Sequence, residues 1–188
     1  LPPTRLEYEA ASAAARPEMS TTVRVLWTPK YLYLGYSCPY TRLTVFEPPL
    51  ADRKRFDVDQ PGVSLWDRDV VEAFIGTDAG NARHYAEFEV APTNERLDLM
   101  ILNLPEKDFA WNSAFESAVK VDPAAKTWTC EMRIPLAKLS ASPPTAGSRW
   151  RLNLFRCDQA NRAFLAWNPT LSGSFHAPER FGVLEFAE

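Results

Sequence analysis

The feature that most constrains the fold of this chain is a succession of short runs in which apolar and polar residues alternate. Alternation with a period of two is typical of a strand with one buried face. Segments rich in Pro, Gly, Asn and Asp separate these runs, as expected of turns. The runs are 23–27, 32–36, 84–90, 97–102, 115–121, 127–134, 150–157, 164–167 and 181–186, and a denser apolar run, 70–75, predicts a further strand. The pattern predicts an all-β protein, an antiparallel β-sandwich.

Local signals add detail to this prediction. Thr28-Pro29-Lys30 separates the first two runs and predicts a hairpin turn. Residues 135–139 predict one helical turn. No segment repeats at a fixed period, which argues against a propeller or a solenoid.

The chain divides into a short lead-in and one domain. Residues 1–20 are rich in Pro and Ala and predict an irregular lead-in with a short strand near 5–9, whereas 21–188 predict a single domain. Two segments inside the domain, 39–65 and 168–179, have no periodicity but contain aromatic residues. Long irregular segments in a compact domain tend to carry function.

Charge and hydropathy exclude two classes of partner. The net charge is −3, and a nucleic-acid binder needs a basic face, so no nucleic-acid partner is expected. The basic run Arg53, Lys54, Arg55 is flanked by acids and predicts a solvated loop. No run reaches the ~18 apolar residues of a membrane span. The chain begins at Leu1 and not at Met, so an upstream part is expected to have been removed, and the chain itself is silent about its targeting. The location that we expect is secreted, periplasmic or cell-surface, with a signal peptide removed.

The three cysteines leave two interpretations open. Cys38, Cys130 and Cys157 are too far apart for a Cys-x-x-Cys motif. Each lies in or near a predicted strand, so all three can be buried free thiols. The alternative is one disulfide, Cys38–Cys157.

Catalytic motifs are absent, and the sequence predicts that the domain is not an enzyme. It has no nucleophile elbow, P-loop or His-Glu-x-x-His helix, and its only histidines are His84, on a predicted strand, and His176, in the second long segment. Asp69 and Glu72 could form a carboxylate pair, but residues three apart on a strand point to opposite faces.

Trp66 is the aromatic residue that core packing explains least. Trp27, Trp128 and Trp150 fall on or beside predicted strands, whereas Trp66 ends a loop directly before the 70–75 run. There it either packs at the sandwich edge or projects from it. A projecting indole can stack on the C–H face of a sugar, while a carboxylate such as Glu72 accepts hydrogen bonds from its hydroxyls.

Several stretches together resemble the family 9 carbohydrate-binding modules. The most recognisable contains Trp66 and Asp67 followed by Val71-Glu72-Ala73-Phe74. The matching stretches follow in the same order along 22–187: 23–34, 65–75, 85–90, 128–135, 153–158, 167–170 and 178–182.

This resemblance implies a fold and a set of site residues. The fold would be a sandwich of immunoglobulin-like or jelly-roll type, related to the DOMON domains. Family members hold a terminal sugar between two aromatic rings, which correspond here to Trp66 and Phe175. Glu72 matches a sugar-binding glutamate, Ser172 stands where Asn is usual, and His176 completes the predicted site.

The sequence also departs from the family pattern at two binding positions. The family's arginine falls at Glu89, and its glutamine falls near Phe155. No cofactor is required by the resemblance, although some members hold structural calcium. Oxygen ligands for such an ion could come from four loop residues: Asp57, Asp59, Asp78 and Asn81.

Three functions follow from these observations. The first is a non-catalytic module that binds a polysaccharide or oligosaccharide and targets a secreted protein, attached to or acting beside a glycoside hydrolase. The second is a structural or interaction domain of an extracellular protein whose sugar site has degenerated. The third is a haem-binding domain of the DOMON type, for which Met100 and His84 would be the axial ligands.

Overall fold

Two antiparallel sheets form the sandwich in the computed structural model, which describes residues 2–78 and 80–188. The first sheet has five strands in the order β1-β3-β4-β10-β9. Their bounds are β1 Thr4–Leu6, β3 Thr21–Trp27, β4 Tyr31–Pro39, β10 Thr127–Pro135 and β9 Glu116–Asp122.

The second sheet has eight strands. Seven follow the order β2-β12-β11-β5-β6-β7-β8, and β13 pairs with β11. The bounds are β2 Tyr8–Glu9, β12 Ala163–Ala166, β11 Arg149–Asp158, β5 Val70–Gly76, β6 Tyr85–Val90, β7 Arg96–Asn103, β8 Glu106–Asp108 and β13 Gly182–Glu185. The helical segments are the α-helix α1, Leu136–Leu139, and three 3-10 turns, Pro17–Met19, Leu65–Asp67 and Pro178–Arg180.

The predicted fold class is confirmed. Every alternating run contains a strand, β3 and β4 form the predicted hairpin, and α1 lies where one helical turn was predicted. Strand β8 was not predicted. The predicted lead-in contains β1 and β2, which pair with β3 and β12 and so join it to both sheets.

The main core lies between the sheets. Alternate residues of β4 point into it, so that Leu32, Leu34 and Tyr36 are almost fully buried. Val71 and Ile75 of β5 enter the same core from the second sheet. Burial of a large apolar side chain contributes about 1.5–3 kcal/mol, so this two-residue period is enough to specify which face of each strand lies inside.

A second apolar cluster covers the opposite face of the second sheet. Phe74, Tyr85 and Phe155 lie there with Leu65, which ends the first long irregular segment, and Phe181, which follows the second. Strands β5 and β6 are therefore buried on both faces. The long segments act as a third layer over the sheet, and the space they leave against it becomes the candidate site.

The basic run is only partly the solvated loop that the sequence predicted, since Arg53 is exposed but Lys54 and Arg55 are partly buried. Lys54 Nζ lies 2.9 Å from Asp98 Oδ1 and donates to the carbonyl oxygens of Asp98, Phe109 and Trp111. Arg55 Nε lies 2.8 Å from Glu95 Oε1. These contacts fix the first long segment to β7, to the residue before it and to the loop after β8.

Of the two interpretations of the cysteines, that of buried free thiols is confirmed for all three, and the alternative Cys38–Cys157 disulfide is wrong. Cys38 lies in the core between the sheets, whereas Cys157 lies on the opposite face of the second sheet. A bridge would have to pass through the sheet. Burial raises the pKa of the Cys38 thiol to about 11.

Among the helices of the described residues, none is long and apolar enough to cross a membrane.

Candidate functional site

A cavity of about 550 Å³ opens on the outer face of the second sheet, between the two long segments. Aromatic side chains supply its apolar walls: Trp66, Phe74, Phe164 and Phe175. Charged and polar side chains also line it: Glu9, Glu72, Glu87, Lys107, Ser172, Ser174 and His176. The combination of aromatic walls with a few convergent polar groups is typical of small-molecule sites, which span about 300–1,000 Å³.

Trp66 reaches the cavity from the 3-10 turn Leu65–Asp67. The Ser64 backbone N–H donates to Asp67 Oδ2 at 2.9 Å, which closes the start of this turn. Gln159 Nε2 donates to the Trp66 carbonyl oxygen at 3.4 Å. The indole packs against the second apolar cluster but stays partly exposed. Its place at the loop-strand junction therefore leaves it in contact with both cluster and cavity.

Phe175 enters the cavity from the second long segment. Its ring stacks on that of Phe155, with centroids 4.2 Å apart and planes 7° apart. Since Phe155 is fully buried on β11, one face of the Phe175 ring is fixed against the sheet. Like Trp66, Phe175 is only partly buried.

Glu72 lies on the central strand β5 at the floor of the cavity. It is 2% exposed, and the Cys157 thiol donates to its Oε1 at 3.5 Å. In the sheet register Glu72 is paired with Glu89 on one side and with Phe155 on the other. The two positions where the sequence departs from the family pattern thus flank Glu72 directly.

Three carboxylates form a buried cluster at this floor. Oxygen atoms of Glu72, Glu87 and Glu89 lie within 4.8 Å of one another. Burial, together with the charge of Glu87, raises the pKa of Glu72 to about 8, and burial also raises the pKa of Glu87. The pKa of Glu89 is well above its ordinary value because of burial and the charges of Glu72 and Glu87. Like charges this close cannot all ionise, so the cluster retains protons near neutral pH.

His176 anchors the second long segment to the sheet. Its Nε2 lies 2.7 Å from Lys107 Nζ and its Nδ1 lies 2.7 Å from Tyr85 Oη. Because an ammonium group can only donate, Nε2 accepts, and the proton of the neutral ring sits on Nδ1 and is donated to Tyr85. Burial, reinforced by the Lys107 charge, lowers the pKa of His176 to about 3.

Ser172 is exposed at the rim. Its Oγ donates to the Ser174 carbonyl oxygen at 2.9 Å and accepts from the Ser174 N–H at 3.2 Å. The preceding Leu171 N–H donates to the Ala10 carbonyl oxygen at 2.9 Å, which ties this part of the segment to the end of β2.

The five residues that the sequence nominated for sugar binding all line this one cavity: Trp66, Glu72, Ser172, Phe175 and His176. Their binding of a sugar stays a prediction. The sequence reasoning missed Glu87 and Lys107. The spacing of Glu87 was a signal that could have found it. Residues two apart on a strand share a face, so Glu87 lies on the same face as Glu89, which pairs with Glu72 of the neighbouring strand.

The calcium and haem candidates lie elsewhere. Asp57 Oδ1 accepts the Asp59 N–H at 3.0 Å, Asp78 Oδ1 accepts the Gly80 N–H at 2.7 Å, and Asn81 Oδ1 accepts the Arg83 N–H at 3.3 Å. Calcium binding at these turns stays a prediction. His84 and Met100 line a common cavity of only about 10 Å³, which is room for about one water molecule and not for a haem.

Asp69 does not extend the candidate site. Its carboxylate accepts the N–H of Thr44 at 2.9 Å and of Gln159 at 2.8 Å. Burial raises its pKa to about 6 in spite of these bonds. Asp69 therefore fixes the start of β5 to two loops, and the suggested pair with Glu72 does not flank a common space.

Comparison with known proteins gives a match over nearly the whole chain. The model of the carbohydrate family 9 binding domain-like family matches residues 3–188. The chain is also 29% identical over 199 residues to a protein of Arthroderma benhamiae named "Extracellular protein", covering 96% of this chain and 85% of that protein.

Solved structures with the same fold include sugar complexes. A presumed carbohydrate-binding protein from Bacteroides uniformis has a TM-score of 0.76 at 17% identity, covering 99% of this chain and 86% of its own. A family 9 carbohydrate-binding module from Caldicellulosiruptor kristjanssonii has TM-scores of 0.63 with glucose bound and 0.66 with cellotriose bound. Both complexes are 15% identical, and the match covers 96% and 98% of this chain and 83% of theirs. On the strength of the family match along residues 3–188, the chain belongs to the carbohydrate family 9 binding domain-like family.

Proposed function

We propose that this domain is a non-catalytic carbohydrate-binding module that holds the end of an oligosaccharide or polysaccharide in the cavity on its second sheet. Trp66 and Phe175 stack on the apolar faces of a sugar ring, and Glu72 accepts hydrogen bonds from its hydroxyl groups. Ser172 and His176 supply polar contacts at the rim and wall.

The convergence of five residues on one cavity carries this proposal. Trp66 and Glu72 come from one part of the chain, and the other three come from a segment about a hundred residues later. They meet in a cavity whose walls are aromatic and whose size suits a small molecule. Similar modules of the same fold were solved with glucose and cellotriose, which supports a glucose-type ligand.

Secretion and targeting belong to the same proposal. A module of this kind localises a secreted protein to polysaccharide, either joined to a glycoside hydrolase or acting beside one. The name of the Arthroderma benhamiae relative supports an extracellular location.

Isothermal titration calorimetry with cellotriose, preceded by a screen on a broad glycan array, tests the proposal. Trp66→Ala is expected to weaken binding at least about tenfold, because stacking on an aromatic face contributes on the order of 1 kcal/mol beyond the buried area. Thermal unfolding of the variant should remain cooperative.

Trp27→Ala is the matched control. Trp27 is also partly exposed, but it lies on β3 of the first sheet, where it packs edge-on against Phe186. Its removal should lower stability and leave sugar affinity unchanged. An unaltered affinity in Trp66→Ala, or the absence of any glycan signal from the folded wild type, would contradict the proposal.

One observation favours a second function, an extracellular interaction domain with a degenerate sugar site. The positions on either side of Glu72 hold a buried acid, Glu89, and an apolar ring, Phe155. Phe155 has no group that could form a hydrogen bond with a sugar hydroxyl, and Glu89 lies beside the cavity without lining it. Capture of a defined protein partner by a domain that binds no glycan would support this alternative.

A further inference from the structure

The floor of the cavity contains more carboxylate than a neutral sugar would need. Glu72 and Glu87 line the cavity, and Glu89 lies directly beside them. The three residues are 2%, 4% and 0% exposed. Such burial is costly for carboxylates unless each one is paired or hydrogen-bonded.

The protein itself provides few donors to this cluster. Glu87 Oε2 and both carboxylate oxygens of Glu89 accept no hydrogen bond from the residues that the structure describes. Glu72 Oε1 is approached by the Cys157 thiol, which is a weak donor. A shared proton can link Glu87 to Glu89, but oxygen atoms at the floor remain available to a ligand that carries donors.

Around the cluster, carboxyl groups outnumber the cations that could pair with them. Lys107 on β8 is the cation that lines the cavity, and its ammonium is directed at the neutral His176 ring. Tyr85 on β6 and Cys157 on β11 are uncharged near neutral pH, and burial raises the pKa of each further above its ordinary value. At the rim, Glu9 on β2 is paired with Arg16 at 2.5 Å. One lysine thus faces three carboxylates.

We propose that the cavity selects an amino sugar, with the ammonium group of the ligand bonded to Glu72 and Glu87 and facing Glu89. This inference rests on the proposed function, because the same aromatic walls hold the sugar ring. An ammonium has three donors, and its bonds to carboxylates are charge-assisted. The walls formed by Trp66 and Phe175 suit a cation as well, since aromatic faces attract positive charge.

A divalent metal ion fits the same cluster less well. Calcium takes six to eight oxygen ligands, whereas the cavity offers three carboxylates among aromatic walls. The Lys107 ammonium also opposes a doubly charged ion more strongly than a singly charged one. Binding of a divalent metal ion at this cluster is therefore the alternative that the experiment below also tests.

Binding of an ammonium group should release protons. The free cluster retains protons near neutral pH, and a bound cation favours the ionised carboxylates. Calorimetry in two buffers of different ionisation enthalpy measures this release. It is expected for an amino sugar and should be smaller for a neutral sugar.

Calorimetric titration of the whole domain with three β-1,4-linked trimers tests the proposal. The trimers are built from glucosamine, N-acetylglucosamine and glucose, and the pH is slightly acidic so that the free amine is protonated. The glucosamine trimer should bind about tenfold or more tighter than both others, as expected for a charge-assisted bond. Because the glucose trimer has no acetyl group, tighter binding of the glucosamine trimer than of the glucose trimer cannot result from the bulk of an acetyl group.

Glu87→Gln should abolish this preference while retaining the fold, since it replaces a buried acid by a neutral group of the same shape. Glu131→Gln, at an exposed position of β10, is the matched control and should retain it. Equal or tighter binding of the glucose trimer overturns the amino-sugar inference and leaves the proposed function standing. If no trimer binds, the amino-sugar inference is overturned, and the proposed function fails as well only where the folded wild type also gives no signal on the glycan array. A Glu87-dependent rise in thermal stability with calcium alone, reversed by a chelator, also overturns the inference in favour of a metal site.

Discussion

The buried carboxylates should make the domain less stable as the pH rises above neutral. In the unfolded chain Glu72 titrates near its ordinary pKa of 4.5, whereas in the folded protein its pKa is about 8. Between these values the folded state holds a proton that the unfolded state has lost. Stability therefore falls with rising pH, by about 1.4 kcal/mol per pH unit for one such group.

His176 acts in the opposite direction at lower pH. Its pKa falls from 6.5 to about 3 on folding, so its contribution raises stability as the pH increases and is complete above 6.5. Between pH 6.5 and 8 the change in stability therefore comes from the carboxylates and not from His176. Across this window Glu72 alone should reduce the free energy of unfolding by about 2 kcal/mol. Glu89, whose pKa is also raised, adds to this loss.

Urea unfolding at both ends of this window measures the effect in wild type and in Glu72→Gln. The variant should lose about 2 kcal/mol less than the wild type between pH 6.5 and 8, because its amide does not titrate. Glu131→Gln should behave like the wild type. A wild-type stability that stays flat or rises across the window would refute the reasoning about the buried cluster.

Three further predictions follow from individual contacts. Phe175→Ala should weaken binding of cellotriose about tenfold in calorimetry, through loss of a stacking face; an unchanged affinity would remove Phe175 from the site. Lys54→Met should lower the free energy of unfolding in urea by about 3 kcal/mol, because it leaves the buried Asp98 carboxylate without its ion pair; a loss below ~1 kcal/mol would show that the lysine does not anchor the loop. Cys38 and Cys130 should react with a thiol reagent only as the protein unfolds, since both are buried in the core between the sheets; fast reaction of either thiol in native buffer would contradict the burial.

The sequence was informative about the position of a strand wherever one face of that strand is buried in a core. Alternation identified the strands of both sheets, because a two-residue period is strongly fixed when one face enters a core. Strand β8 was missed because Glu106, Lys107 and Asp108 are all polar and show no such period.

The burial of the acids on β6 was the part that the sequence could not reveal. Glu87 and Glu89 alternate with Ala86 and Phe88, and this pattern indicates a strand whose acidic face is turned to solvent. They are buried because distant loop segments cover that face, and no local signal reports such a cover. The same two-sided burial explains why Cys38 and Cys157 lie on opposite sides of one sheet.

The most direct test of sugar binding in this cavity is the indole N–H signal of Trp66 in a nitrogen-proton correlation spectrum. Trp66→Phe assigns that signal by its disappearance. Titration with the tightest-binding trimer should shift the Trp66 signal progressively and leave the signals of Trp27 and Trp128 unmoved, since those residues lie in or on the first sheet. A saccharide that binds without shifting the Trp66 signal would contradict the account.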